Sequence, residues 1–235
     1  MAQSPEEIVA FFNLTEDGSS PSLPLNWNIA PTNEIYIVKN LAEGHRALRT
    51  ASWGLIAPWQ RTFADARASQ SHAINARSES VHEKPTFRNS FRTSRCLIPA
   101  TGYYEWATSL GKFPPKQPFY ISDSNGDPLS IAGIWSSWRS ESGQVIESAS
   151  IITREAVGEL ATIHSRMPVM MARDRWDQWL DRDNRDIDGL RALMEHPVPD
   201  RGLTPRPVSS RVNLVANNGV ALIEEISLGE PETLF

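Results

Sequence analysis

The stretch Arg95-Cys96-Leu97-Ile98-Pro99-Ala100-Thr101-Gly102-Tyr103-Tyr104-Glu105-Trp106 is an apolar run that ends in a carboxylate between aromatic residues. It predicts two short strands, Leu97-Ile98 and Tyr103-Tyr104-Glu105-Trp106. We expect Glu105 to lose water to its neighbours, and desolvation raises the pKa of a carboxyl group toward the range useful for proton transfer. Glu105 is therefore a candidate acid or base. A strand whose outward residue happens to be Glu accounts for the same pattern, so both interpretations stay open.

Length and composition indicate a chain with a full hydrophobic core. With 235 residues, 40% of them hydrophobic, we expect residues 1–235 to form a single domain. No apolar run approaches the length of a membrane span, and residues 1–20 lack the apolar stretch of a signal peptide. Cys96 is the one cysteine, so an intrachain disulfide is excluded. These features predict a cytoplasmic protein, nucleoid-associated in a bacterium, with no membrane partner.

The charge is unevenly distributed along the chain. The formal net charge is -5, yet residues 61–100 have a local balance of +4, against -9 for the rest. Because counterion release depends on local cations, a basic surface on an acidic body suits a phosphate-binding groove. A solvated basic loop is the alternative that the charge pattern leaves open. The basic residues of this segment are Arg61, Arg67, Arg77, Lys84, Arg88, Arg92 and Arg95.

The pattern of short segments predicts an α+β fold. Ser4 as N-cap, Pro5 at the first helical position and Glu7 three residues after the cap predict a helix with a capping box. Residues 174–180 and 188–194 are typical of short helices. Strands in succession with few helices indicate a mainly antiparallel sheet that is curved or barrel-like. Further strands are predicted at Ile35-Tyr36-Ile37-Val38, Ala51-Ser52-Trp53-Gly54-Leu55-Ile56, Phe119-Tyr120-Ile121, Leu129-Ser130-Ile131-Ala132-Gly133-Ile134-Trp135 and Ser148-Ala149-Ser150-Ile151-Ile152-Thr153.

Several common catalytic signatures are absent from the sequence. It contains no G-x-S-x-G elbow, Walker loop, dinucleotide glycine fingerprint or H-E-x-x-H motif. The five His residues lack metal-ligand spacing, and a single Cys cannot complete a zinc site. We therefore expect neither a metal nor a cofactor.

Seven short blocks occur in order along nearly the whole chain, and together they are far more specific than any one of them. They are Asn28-Ile29-Ala30-Pro31, Trp53-Gly54-Leu55-Ile56, Asn75-Ala76-Arg77-Ser78-Glu79, Arg95-Cys96-Leu97-Ile98-Pro99-Ala100, Gly102-Tyr103-Tyr104-Glu105-Trp106, Ile163-His164-Ser165-Arg166-Met167-Pro168-Val169 and Val212-Asn213. In order and spacing they resemble the SRAP family, the SOS response-associated peptidases that bind single-stranded DNA and crosslink to abasic sites.

The resemblance implies a covalent reaction at the abasic sugar. In family members an N-terminal Cys, exposed when the initiator Met is removed, captures the ring-opened aldehyde as a thiazolidine. Glu105 would assist ring opening and shuttle protons, and His164 would polarise or protonate the sugar oxygens. The amide of Asn75 would orient the nucleophile.

The resemblance also implies the DNA contacts and the partner. Arg77 and Arg166 would hold phosphates on either side of the lesion. Rings or apolar edges near the gap left by the missing base would come from Trp53, Trp59, Trp106 and Pro31. Trp53 fits a place in the core equally well. The expected partner is single-stranded DNA with abasic sites, bound by a monomer.

The start of the sequence departs from the family pattern. Family members begin Met-Cys-Gly-Arg, whereas this sequence begins Met1-Ala2-Gln3-Ser4, so we expect the Met-Cys-Gly-Arg segment to be missing. Cys96 lies in an apolar block, where a thiol stays protonated and does not replace the nucleophile.

Three functional interpretations follow from this departure. In the first, the gene start has been assigned to a downstream Met and the natural protein is an abasic-site sensor. In the second, the protein is a non-catalytic single-stranded DNA-binding module. The first is favoured because Asn75, Glu105 and His164 are all present. The third is a peptidase that acts on other proteins through Glu105 and His164. No recognisable block with a Ser or Cys nucleophile supports it.

Overall fold

The computed structural model of the protein describes residues 2–15, 22–41, 45–108, 116–195 and 202–228, which form an α+β fold. The helices are α1 (Pro5–Phe12), α2 (Phe63–Ser71), α3 (Pro85–Thr93), α4 (Trp176–Leu180) and α5 (Ile187–Met194). The strands are β1 (Glu34–Asn40), β2 (Arg46–Trp53), β3 (Asn75–Arg77), β4 (Arg95–Ala100), β5 (Tyr103–Trp106), β6 (Pro118–Asp123), β7 (Leu129–Arg139), β8 (Val145–Glu155), β9 (Arg166–Pro168) and β10 (Leu203–Pro207). Short 3-10 helices lie at Leu160–Thr162, Arg173–Arg175, Ser210–Asn213 and Val220–Ile223.

Five strands close into a barrel, which confirms the predicted fold class. Their order is β2-β1-β4-β7-β8, with antiparallel neighbours, and a parallel pairing of β2 with β8 at Ser52 and Ser148 closes the ring. Because successive side chains of a strand point to opposite faces, each strand contributes to two clusters. The inner cluster includes Ile37, Cys96 and Ala149. Burial raises the pKa of the Cys96 thiol, which therefore stays protonated.

Helices cover the outer face of the barrel. Phe12 of α1 is fully buried and stacks on Trp176 of α4, with ring centroids 4.7 Å apart. The predicted capping box is confirmed: the Glu7 N–H donates to Ser4 Oγ at 3.3 Å, and the Ser4 N–H donates to Glu7 Oε2 at 2.8 Å. The predicted late helices are present as α4 and α5. Within the described residues, no helix is long and apolar enough to cross a membrane.

The predicted strand at residues 51–56 is wrong at its C-terminal end, because β2 ends at Trp53. Gly54 has a φ of +118°, and a Cβ there would lie 2.5 Å from the carbonyl oxygen of Gln70. Only glycine fits this close approach and this dihedral angle. Leu55 and Ile56 therefore leave the sheet, although both stay buried.

Most of the predicted site residues lie on or near a second sheet and the C-terminal end of β8. The second sheet is antiparallel, with the order β10-β6-β5. At its C-terminal end β8 pairs with β3 and with β9, since Thr153 lies opposite both Arg77 and Pro168. Strand β8 therefore connects the barrel to the two short strands on which several of the predicted site residues lie.

Candidate functional site

Main-chain contacts bring Glu105 and His164 together, although they lie on different sheets. Thr108, two residues after β5, donates its N–H to the carbonyl of Ile163 at 2.9 Å. His164 follows directly, and β9 then pairs with β8. His164 Nδ1 lies 3.5 Å from Glu105 Oε2, and the two side chains are 32% and 24% exposed.

The Glu105 carboxyl lies in a dehydrated environment. Burial raises the pKa of Glu105 to about 7, and this effect is partly offset by His164 and by a hydrogen bond from the backbone of Trp106. A carboxyl with a pKa near 7 is present in both protonation states at neutral pH, so it can give or accept a proton. The desolvation inferred from the sequence is present, whereas the catalytic role of Glu105 stays a prediction.

The source of this burial differs from the one expected. Tyr104 and Trp106 do not hold Glu105 between them, because consecutive side chains on a strand point to opposite faces. Their rings are neighbours, with centroids 6.5 Å apart and planes tilted by 46°. Glu105 shares its face with Tyr103, which packs against an apolar cluster that includes Ile163.

His164 Nδ1 contacts both backbone polar groups of Arg166. It lies 3.1 Å from the Arg166 nitrogen, whose N–H can donate to it, and 3.2 Å from the Arg166 carbonyl oxygen, which can accept from it. The tautomer decides which of these hydrogen bonds forms, because a neutral imidazole has one donor and one acceptor nitrogen. In either tautomer one ring nitrogen of His164 donates a hydrogen bond, and Nδ1 lies beside Glu105.

Arg166 has protein partners that the sequence did not predict. Its Nη1 and Nη2 donate to the two carboxylate oxygens of Glu79 at 2.7 and 2.9 Å, and Nη2 also donates to the Thr153 carbonyl at 2.7 Å. The hydrogen bond from Arg166 lowers the pKa of Glu79. Arg77 lies exposed on β3, opposite Thr153. A phosphate must therefore compete with Glu79 for Arg166, whereas Arg77 is open to solvent. The phosphate-binding roles of both arginines stay predictions.

Pro31, Trp53 and Asn75 are neighbours through the main chain. The Trp53 carbonyl accepts the N–H of Thr32 at 2.8 Å, and Trp53 Nε1 donates to the carbonyl of Ile74 at 3.1 Å. Trp53 is partly buried between these segments, while Pro31 and Asn75 are exposed. Thr32 has a φ of 73°, which is strained for a β-branched residue and is typical of functional turns.

Trp106 and Trp59 both expose apolar surface, as expected of base-contacting residues. Trp106 is 38% exposed, and its Nε1 donates to Asn213 Oδ1 at 2.7 Å. Trp59 is 50% exposed on the loop after β2, whose Gln60 carbonyl accepts the Trp138 Nε1–H at 2.8 Å. Their contacts with DNA stay predictions.

Three supporting residues received no role from the sequence. Glu79 holds Arg166, Thr153 joins β3 to β9, and Asn213 fixes the ring of Trp106. Glu79 and Asn213 belong to two of the seven SRAP-like sequence blocks, and these blocks could have identified them. Nothing in the sequence distinguished Thr153. Among the described residues, no group of three His, Cys, Asp or Glu side chains could hold a metal ion.

Comparison with known proteins places this arrangement in a family. The family profile described as SOS response associated peptidase (SRAP) matches residues 1–215. The abasic site processing protein YoqW of Bacillus subtilis (strain 168) is 32% identical over 219 residues, which cover 93% of this chain and 94% of that protein. The abasic site processing protein HMCES of Mus musculus is 27% identical over 242 residues, covering 92% of this chain and 65% of that protein.

Solved structures share the fold. A protein of Bacteroides thetaiotaomicron has a TM-score of 0.80 and 22% identity, covering 97% of this chain and 98% of that one. A protein of Bordetella bronchiseptica has a TM-score of 0.71 and 26% identity, covering 89% and 97%. Since the profile spans most of the chain and the YoqW match extends over nearly its whole length, the chain belongs to the SOS response-associated peptidase (SRAP) family.

Proposed function

We propose that this protein recognises an abasic nucleotide in single-stranded DNA and processes it with Glu105 and His164 as a proton-transfer pair. The observation that carries the proposal is the Glu105 carboxyl, whose pKa is raised to about 7 and which lies 3.5 Å from His164 Nδ1. The relatives YoqW and HMCES are named abasic site processing proteins, which supports the choice of substrate.

The chemistry of the abasic sugar requires two proton movements. Opening of the cyclic hemiacetal removes a proton from the C1′ hydroxyl and adds one to the ring oxygen, and the product is an aldehyde. Glu105 can serve either step, because both of its protonation states are populated near pH 7. A ring N–H of His164 would donate a hydrogen bond to the other of these two oxygens.

Covalent capture of the aldehyde follows when the polypeptide bears an N-terminal Cys. The α-amine attacks C1′ and forms a carbinolamine, which loses water to give an imine. The thiol of the same residue then adds to the imine carbon, its proton passes to the nitrogen, and the thiazolidine ring closes. Asn75 is exposed at the start of β3 and would hold the amine through its amide. Glu105 would supply the proton with which the hydroxyl leaves as water.

Recognition of the strand depends on separate residues. Arg77 would contact one phosphate through its exposed guanidinium. Pro31 and Trp106 would present apolar surface to the gap left by the missing base, with the ring of Trp106 fixed by Asn213. Recognition and chemistry are therefore separable by mutation.

The test uses the polypeptide preceded by Met-Cys-Gly-Arg, so that a Cys becomes the first residue after Met removal. Glu105→Gln should slow formation of the adduct with an abasic single strand by roughly 10²-fold, because it keeps the shape and removes the ionisable group. Affinity for the strand should stay nearly unchanged. Glu141→Gln, on an exposed turn, is the matched control. Loss of affinity together with rate in Glu105→Gln would indicate a structural Glu and contradict the proposal.

A further inference from the structure

We propose that helix α3 binds the sugar-phosphate backbone of DNA on one side of the abasic nucleotide. The contact surface is the α3 cationic face, defined as Lys84, Arg88 and Arg92. This inference rests on the proposed function, since it extends the path of the bound strand beyond the site.

The geometry of α3 places these three cations in one row. Residues four apart lie on the same face of a helix, and a rise of 1.5 Å per residue spreads the row over about 12 Å. Lys84, Arg88 and Arg92 are all exposed. The helix packs on the barrel through Phe91, which is fully buried.

The α3 cationic face begins directly beside the candidate site. The Arg77 carbonyl accepts the N–H groups of Ser80 at 3.0 Å and Val81 at 2.8 Å. The Ser80 carbonyl in turn accepts the N–H of Lys84 at 3.0 Å. These turns lead from Arg77 straight into α3, so a strand held by Arg77 has further cations along its path.

The remaining member of the basic segment near α3 has a different role. Arg95 is buried, and its guanidinium donates to the carbonyls of Phe91 and Arg92 at 2.7 and 2.8 Å, near the end of α3. Arg185 also donates to the Arg92 carbonyl, at 3.2 Å. Arg95 therefore fixes the helix end from inside, and the exposed charge of α3 comes from the three residues of its cationic face.

Two features of the α3 charge pattern oppose helix stability, although Arg92 in the last turn suits the helix dipole. Like charges four residues apart repel each other, and a cation near a helix N-terminus opposes the helix dipole. The first turn of α3 contains no acidic residue, and its N-cap residue Lys84 makes no side-chain capping bond. Helix α1 has the opposite design, with Ser4 as cap and two Glu in its first turn. An exposed helix face with repelling charges fits a surface that binds an anionic partner.

The same face lacks groups that would stack on bases. Both aromatic residues of α3 turn inward: Phe87 packs against the cluster on the outer face of the barrel, and Phe91 is part of it. Base-stacking platforms combine cations with exposed aromatic rings, whereas contacts made by cations alone reach the phosphates and carry no sequence information. The α3 cationic face therefore fits the phosphates of the strand.

The test measures the binding of oligonucleotides of different lengths by fluorescence anisotropy. One abasic single strand has three nucleotides on each side of the lesion, and two others extend it by ten nucleotides on the 5′ or the 3′ side. Arg88→Gln/Arg92→Gln should weaken binding of one extended strand about 10-fold or more and leave the short strand unaffected. The slope of log K against log salt for that strand should fall by about 1.4, at 0.7 per lost phosphate contact. Arg139→Gln/Arg191→Gln, at one exposed and one partly exposed arginine on other elements, is the matched control.

Three outcomes would overturn the inference. Unchanged binding of both extended strands would show that the face takes no phosphates, and an equal loss for the short strand would place the effect at the site itself. If the parent bound none of the strands, the proposed function would fail as well.

A charge reversal separates folding from binding. Arg88→Glu places a carboxylate four residues from both Lys84 and Arg92 and turns two repulsions into attractions. We expect an unchanged or higher Tm together with weaker binding of the extended strand. A lower Tm would contradict the repulsion on which the inference rests.

Discussion

His164 Nδ1 lies 3.5 Å from Glu105 Oε2 and 3.1 Å from the backbone nitrogen of Arg166, whose N–H can donate to it. Because the pKa of Glu105 is raised to about 7, both protonation states of Glu105 are present near neutral pH. A proton passed from Glu105 to Nδ1 would end the hydrogen bond from the Arg166 N–H, because a protonated ring nitrogen has no free lone pair. Ionisation of Glu105 is thereby linked to the position of β9, which begins at Arg166.

Glu105→Gln should stabilise the protein at alkaline pH. Because the folded-state pKa of Glu105 is about 7 against 4.5 in the unfolded chain, the folded protein binds this proton more tightly. Its contribution is most favourable below pH 4.5 and is lost as the pH rises through 7. The pKa difference corresponds to an upper limit of about 3 kcal/mol. Thermal unfolding should show a higher Tm for the variant at pH 8 and little change at pH 4.5, whereas equal shifts at both pH values would count against a buried ionisable group.

Glu79→Gln should strengthen binding of single-stranded DNA. Glu79 occupies the guanidinium of Arg166, and its side chain is 53% exposed, so the pair contributes at most about 1 kcal/mol to stability. Without the carboxylate, a phosphate no longer competes for Arg166. Salt titrations should show a few-fold gain in affinity and a steeper salt dependence, by about 0.7 in slope. Weaker binding would show instead that Glu79 holds Arg166 in its binding position.

Ser4→Ala should lower the free energy of unfolding by about 1 kcal/mol, because it removes one half of the capping box of α1. Ser4→Asp keeps an acceptor at the same position and should retain most of the stability. Denaturant unfolding of the two variants beside the parent measures the difference. Equal losses in both would show that the hydroxyl acts through packing and not through the cap.

The length of chain before Ser4 should decide whether an adduct forms. A polypeptide that starts at Met1 has no thiol on its first residue, and four further residues of extended chain span about 13 Å. Its α-amine can attack an aldehyde as a Schiff base but should end short of the site. On a denaturing gel with an abasic strand, a heat-stable band is expected only when Met-Cys-Gly-Arg precedes Met1. Such a band from the shorter polypeptide without a reductant would refute this.

The sequence predicted the elements that are determined by interactions between residues close together in the chain. The capping box at Ser4 and the strand at Tyr103-Tyr104-Glu105-Trp106 depend on neighbouring residues and were confirmed. Helices α2 and α3 were missed because they bury few apolar side chains: α3 buries only Ser90 and Phe91, and α2 only Ala66 and Gln70. Helix α2 lacks the apolar period that identifies a helix, and in α3 only Phe87 and Phe91 follow it, within an otherwise polar stretch.

The sequence proposed the candidate site residues, and the fold shows contacts among them that the sequence did not predict. The SRAP blocks named Glu105 and His164, and the fold brings them together. The pairing of Glu79 with Arg166 joins residues 87 positions apart, and it depends on how β3 and β9 flank β8. The order of residue types along the sequence does not specify the register in which β3 and β9 pair with β8. The face on which Glu105 lies also depends on the second sheet, which is why its aromatic neighbours were misassigned.

The pH dependence of adduct formation tests the central claim most directly. The polypeptide preceded by Met-Cys-Gly-Arg is mixed with an abasic single strand, and the rate is measured from pH 5 to 9 for the parent and for Glu105→Gln. We predict an inflection near pH 7 in the parent, set by the Glu105 pKa of about 7. In the variant we expect a rate roughly 10²-fold lower without this inflection, which keeps only the rise due to deprotonation of the N-terminal amine near pH 8. The same inflection at the same rate in Glu105→Gln would show that Glu105 carries no proton in the reaction.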